Sequence, residues 1–390
     1  MSIPAVHRRI FAASGLLLLA ASPAFALDGG AFGDRLKALY ADKGATISWQ
    51  SIDVQGSNII LRGVDVSAKD LQHVSFGDVT LADVAAGQDG AYRIGTVTVP
   101  RYGFSKDDYT LSGSNLVMQG VELPGPNSDA IPSQLGYDDL ALDSISIASK
   151  GNVVATATGL HVAVGHANGN NEVTFSGSVG SISADLTKID DEKAKANVTK
   201  LGYEQLHGTA ELHGSWTLAD GHLVVDRYSL AVDNMGKLGS TLDITGYTPA
   251  FIKSMRELQS SLKDQKGEAK GLAMLGLLQQ IEIGGFSLRF DDDSLTGRLL
   301  DYYANQKKVT RDVLVNQIKG ALPAVLARIG DPGFAAKVAQ AVGSFLDNPK
   351  SIEVKVAPPK PLSIAVIAAT GMAQPQALPK TLDLDVVANQ

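Results

Sequence analysis

The chain contains no cysteine, which excludes a disulfide framework, a Cys-ligated zinc or iron–sulfur centre and a thiol nucleophile. Charge is sparse at 19% of residues, aromatics reach only 6%, and 34 Lys+Arg stand against 41 Asp+Glu for a net charge of −7. That balance lacks the clustered cations that displace counterions from nucleic acid, and it disfavours anionic membrane surfaces for the same reason. Beyond residue 26 no apolar run approaches the ~20 residues that cross a bilayer. Apolar residues make up 44% of the 390 and glycine contributes 40, enough to build a sizeable core and to rule out wholesale disorder.

The first 26 residues have the secretory pattern: Arg8 and Arg9, an apolar run from Phe11 to Ala21, then Ala24-Phe25-Ala26 as a small-x-small cleavage site. Cleavage is expected after Ala26, giving a periplasmic protein with no transmembrane span in the mature chain. Loss of both arginines moves the net charge to −9, and with no cysteine a lipoprotein is excluded. Arg8-Arg9-Ile10-Phe11 is also compatible with twin-arginine export. No cofactor that would demand folded export is indicated, which favours the general secretory route.

From Thr46 to about Thr245, apolar and polar residues alternate, interrupted every 8 to 15 residues by Gly, Asn, Asp or Pro. This is the pattern of consecutive antiparallel strands. The clearest case is Leu206 to Leu218, where Leu206, Ala210, Leu212 and Trp216 fall on one face and His207, Glu211 and His213 on the other. Joined through Ala219-Asp220-Gly221, the next strand is predicted to set Trp216 opposite Val224, Leu212 opposite Tyr228 and Ala210 opposite Leu230, with Gly221 left-handed. Gly214 then leaves room for the indole. The phrases Leu61-Arg62-Gly63-Val64-Asp65-Val66, Met118-Gln119-Gly120-Val121-Glu122-Leu123 and Ala157-Thr158-Gly159-Leu160-His161-Val162 share the form x-x-Gly-apolar-x-apolar. Their unequal spacing leaves two readings, bulges in a long curled sheet or an old duplication.

Helices bracket the strands. A short one is predicted over Ala31 to Lys43, then a mainly helical region over 248–349. Within it Phe251, Ile252, Met255, Leu258 and Leu262 form one stripe from Pro249, and a second runs from Leu314 to Ile329. A third, Phe334 to Leu346, follows Gly330-Asp331-Pro332, and a strand is expected near 281–290. Residues 350–390 read as terminal strands that rejoin a sheet. The expected fold class is therefore α+β: residues 27–247 form a large curled antiparallel sheet, as a groove or a sandwich, beside the helical C-terminal region.

Catalytic templates fail one by one. G-x-S-x-G, the phosphate loop and a dinucleotide-binding glycine motif do not occur in the mature chain, and Ser260-Ser261-Leu262-Lys263 lacks the companions of an S-x-x-K enzyme. Asp291-Asp292-Asp293 continues with Leu295 and Thr296 where a calcium loop needs a ligand and a glycine; helix capping by Asp293 or Ser294 is the expectation. Among the histidines, His207 and His213 share the wet face while His222 has the opposite parity, so no metal site, cofactor or enzymatic activity is expected.

Ser51-Ile52-Asp53-Val54 followed by Asn58-Ile59-Ile60-Leu61-Arg62-Gly63-Val64 resembles the proteobacterial envelope proteins related to AsmA, over residues 46–247. The resemblance implies a curved β-groove that binds or conveys lipid in the periplasm. It assigns no functional residue, and the helical segment 249–346 departs from the family's pattern. On the strand pattern itself, Leu212, Trp216, Val224, Tyr228 and Leu230 are the candidate lipid-facing residues. A closed β core whose helices, through an exposed stripe on 314–329, dock an envelope protein is the alternative.

Overall fold

The alternating segments join into one sheet. The computed structural model describes residues 27–68, 71–126, 136–167, 171–261 and 268–390; the leader with its cleavage point, Leu262 and Lys263 lie outside them. The strands are β1 (Ala45–Ser48), β2 (Ser51–Gln55), β3 (Asn58–Ala68), β4 (Leu71–Ala86), β5 (Tyr92–Lys106), β6 (Tyr109–Leu123), β7 (Asp139–Ser149) and β8 (Asn152–Ala167). They continue with β9 (Glu172–Asp185), β10 (Gln205–Thr217), β11 (His222–Val232), β12 (Gly236–Thr245), β13 (Glu282–Asp292), β14 (Ser351–Val356), β15 (Leu362–Ser363) and β16 (Leu384–Ala388). Helices are α1 (Gly29–Asp42), α2 (Glu192–Leu201), α3 (Pro249–Ser261), α4 (Glu268–Leu278), α5 (Leu295–Lys307), α6 (Arg311–Leu326), α7 (Pro332–Asp347), α8 (Ile364–Ala373) and α9 (Leu378–Thr381).

From β3 to β14 each strand pairs with the next in an antiparallel meander; β1 and β2 both pair with β3, β15 with β13, and β16 with β14. All sixteen strands of the described residues belong to this one large sheet, which is not closed and fits a curled sheet with helices. The terminal strands do rejoin it. Helices are inserted at both ends of the strands: α3, α4, α8 and α9 at one end, α2 and α5 to α7 at the other. Residues 350–390 are therefore not simply strands, since α8 and α9 interrupt them. α8 escapes sequence reading because its continuous apolar run has no helical period.

The three repeat glycines explain how the sheet bends. Gly63, Gly120 and Gly159 have φ of +61°, +63° and +62°, values that glycine adopts without steric cost. Pairing breaks off at each, with a register shift at Gly63 and unchanged register across Gly120 and Gly159. One step of alternation is skipped there, so Met118 and Val121, or Ala157 and Leu160, face the same side. The x-x-Gly-apolar-x-apolar phrase is thus the sequence form of a bulge.

The β10–β11 hairpin departs from expectation near its turn. Its loop comprises Leu218 to Gly221, Thr217 pairs with His222, and Trp216 lies opposite Leu223, not Val224. Asp226 is an extra residue in β11, and this bulge restores the expected pairs Leu212 with Tyr228 and Ala210 with Leu230. Gly221 is left-handed at φ +69°. Gly214 makes room for Phe175 and not for Trp216: a Cβ there would stand 2.5 Å from the Phe175 ring.

Caps fix the helix starts. Asp28 accepts from Gly30 N at 2.9 Å, Thr310 from Val313 N at 3.3 Å and Asp331 from Phe334 N at 3.0 Å, just ahead of Pro332. For α5 the capping carboxylate is Asp292, which accepts from Thr296 N at 2.8 Å. Asp293 and Ser294 do not serve; the Ser294 hydroxyl instead bonds the Asn234 carbonyl and Tyr203. Of the stripe 314–329, Leu314 is buried and Ile318 half-buried against α5 and α7, while Val325 is exposed. Only its start is an internal contact: Leu322, Leu326 and Ile329 are half-buried, and Ala321 is exposed like Val325.

At the end of β9, Asp185 accepts from Thr187 Oγ1 at 2.6 Å and from its N–H at 3.1 Å. The hydroxyl bond foremost, with help from Gln205 and Lys188, lowers its pKa from 3.8 to about 2. A folded-state pKa below the unfolded one gives stability that is complete above about pH 4 and lost as pH falls through about 2. Asp185→Asn is expected to flatten that part of the acid-unfolding curve, read by urea titration at pH 4 and at pH 2; an unchanged slope would contradict it.

Candidate functional site

Register across the sheet separates two chemically opposite faces. Leu212, Trp216, Leu223, Tyr228 and Leu230 share one of them. It continues through Val173, Phe175 and Ile182 on β9, Leu160 and Val162 on β8, and Leu142 and Ile145 on β7. Beyond these come Met118 on β6, Val97 on β5 and Leu61 on β3. Toward the other edge it takes in Leu242 on β12, Phe286 and Leu288 on β13, and Val354 on β14.

The reverse face carries Thr174, Ser176, Ser178, Ser181 and Ser183 on β9 alone. Hydroxyls bridge neighbouring strands there, as Ser114 to Ser144 at 2.7 Å. Its charges pair with one another: Arg62 lies 2.8 Å from Asp53 and 2.9 Å from Asp78. The Asp53 hydrogen bond, aided by both carboxylate charges, pushes the guanidinium further above its already high pKa.

Val224 belongs to this reverse face, opposite Ser215, and is no lipid-facing residue. The Asp226 bulge reverses the parity from which it was placed. The same reversal puts His222 on the face of His213, where His222 Nε2 lies 3.0 Å from Asp243 Oδ1. Among the described residues no group of three or more His, Asp or Glu side chains could hold a metal ion.

Helices cover the apolar face unevenly. At one end of β10 to β13, Trp216 is 8% exposed beneath Phe251, Ile252 and Ile281, with half-buried Leu277 and Leu278 of α4 alongside. Its Nε1–H donates to the Tyr247 carbonyl at 2.8 Å. Trp216 is therefore an anchor for α3 and not part of an open lining. Toward the middle and opposite end of the strands no core cluster forms over the face among the described residues. Leu212 and Leu230 are half-buried there, Tyr228 is 38% exposed, and Ile147, Phe286 and Leu288 are exposed.

Over β3 to β6 the same face is roofed by α1. Phe32 is fully buried, edge-on to Tyr92 with ring centroids 5.1 Å apart. Between α1 and the sheet remains a cavity of about 290 Å³, lined among others by Leu36, Tyr40, Val97 and Val99, with Lys43 and Glu122 the charged members of its wall. Burial raises the Tyr40 phenol above its usual pKa. The sequence held a signal for this cavity: Leu61, Val64, Val66, Met118, Val121 and Leu123, the apolar positions of the first two glycine phrases, all line it.

With this geometry in place, comparison with known proteins adds little chemistry. A family model described only as "Uncharacterized protein" matches residues 229–389, less than half of the chain. No curated protein matches. The matched segment holds the last four residues of β11, then β12 to β16 and helices α3 to α9, the helix-rich part of the molecule.

Proposed function

We propose that this is a non-enzymatic periplasmic envelope protein that binds or conveys lipid through its acyl chains along the apolar face of the sheet. The observation that carries the reading is the one-sided face itself. Aliphatic and aromatic side chains on many adjoining strands lie together, exposed or half-buried over the middle of the sheet, and line a cavity under α1. Water-exposed apolar surface of such extent marks an interaction site, and acyl chains match its chemistry. Residues 46–247 add the resemblance to envelope proteins related to AsmA. The N-terminal leader pattern supports the compartment. No helix among the described residues is long and apolar enough to cross a membrane, which fits a protein that meets lipid from outside the bilayer.

The direct test is native mass spectrometry of the protein made with its leader in a Gram-negative host. Acyl-bearing species should be retained in gentle conditions. Leu212→Lys with Leu230→Lys, placing two ammonium groups on the open part of the face, is expected to reduce them at least tenfold while leaving the fold intact. A clean apo mass for the unaltered chain, together with no binding of added fatty acid or phospholipid, would rule the reading out.

A further inference from the structure

We infer that residues 357–382, with α8 at their centre, form a seat for the surface of a bilayer containing anionic lipid. This goes beyond acyl-chain binding along the sheet, and it stands on different observations.

α8 reads Ile-Ala-Val-Ile-Ala-Ala-Thr-Gly-Met-Ala and carries no charge. Helices in contact with water keep a polar face, and helices apolar all round are buried in protein or lipid. Yet no residue of α8 is buried; Val366 is 48% exposed and Met372 is 77% exposed. One side is held to the protein: Ile364 packs against the Trp216–Phe251 cluster, and its N–H donates to the Ile281 carbonyl. The other side is left to solvent. Ten residues rise only about 15 Å, so the helix can lie in an interface but not span it.

The charge pattern selects the occupant. In a chain with more acids than bases, the 26 residues from Ala357 to Leu382 contain no Asp or Glu and two lysines, Lys360 and Lys380. Both lysines are exposed, and neither forms an ion pair among the described residues. A second copy of the chain fits poorly. A two-fold contact turns the same patch on itself and would bring four lysines together with no carboxylate from the segment between them. An anionic headgroup layer supplies the missing charge, and the acyl boundary accepts Val366 and Met372.

Flotation of the purified full chain with phosphatidylglycerol–phosphatidylcholine vesicles tests this. The chain should float with the mixed vesicles and far less with pure phosphatidylcholine. Lys360→Gln with Lys380→Gln should lower partitioning about 25-fold, about fivefold for each lysine. Met372→Asp should abolish it. Circular dichroism of these surface variants should match the parent, and so should their retention of acyl chains in native mass spectra; loss of acyl retention with flotation intact would count against the sheet reading alone. The proposal is overturned if the parent chain stays at the bottom of the gradient, if the lysine variant floats as well as the parent, or if sedimentation shows a dimer that Met372→Asp dissociates.

Discussion

Trp216→Ala is expected to cost about 3–5 kcal/mol of unfolding free energy, in the range for other buried aromatics. The indole is 8% exposed, its ring centroid lies 5.8 Å from that of Tyr247, and its N–H is committed to the Tyr247 carbonyl. Tyr247 in turn meets Phe251 at 5.9 Å, so truncation opens a cavity where α3 attaches and leaves the carbonyl without its donor. Tyr228→Ala, on the same face but 38% exposed, should cost far less. Urea titration of the two variants gives the comparison. With Trp49 replaced by Phe, emission from Trp216 should be blue-shifted and unmoved by fatty acid or phospholipid, because α3 and not a ligand covers the ring. Water-like emission, or a shift on adding lipid, would show that the covered end of the face has been placed wrongly.

The same hairpin shows what was legible in the sequence. Alternation from Leu206 to Leu218 assigns the faces of β10, and the pairs Leu212 with Tyr228 and Ala210 with Leu230 form as that pattern requires. A single bulged residue, Asp226, then defeats the parity argument for everything between it and the turn. Val224 and His222 change faces together. Bulges of this kind have no fixed residue signature, whereas those built on a left-handed glycine do, which is why Gly63, Gly120 and Gly159 could be read ahead of the structure. Their apolar followers could have been carried one step further, to a shared cavity. α1 was legible as a helix but not as a roof, since local periodicity says which side of a helix is apolar and nothing about which strands it will meet. In α8 the obstacle is different: an uncharged apolar run fits a buried strand as well as a helix, and only the Ser363 hydroxyl, accepting from Val366 N, marks the cap.

The second large effect concerns that roof. Phe32→Ala is expected to destabilise the chain by about 3–5 kcal/mol, since the ring is fully buried and its removal joins new volume to the cavity of about 290 Å³ beneath α1. If acyl chains occupy that cavity, the loss should be partly restored by ligand. A species that binds only the folded state stabilises it by RT ln(1 + [L]/Kd), and the enlarged site should favour bulkier or longer chains than the parent accepts. Met118→Trp gives the converse. Met118 lines the same wall, and an indole there should fill the space, costing about 1–3 kcal/mol as overpacking does, while abolishing the ligand-dependent rise in melting temperature. Thermal unfolding of the three proteins with and without medium- and long-chain fatty acids separates the outcomes. Equal shifts in all three would place acyl binding elsewhere on the face, over β7 to β13, where Leu212, Tyr228 and Leu230 stand uncovered. Absence of any shift in the parent would leave α1 as a purely structural roof.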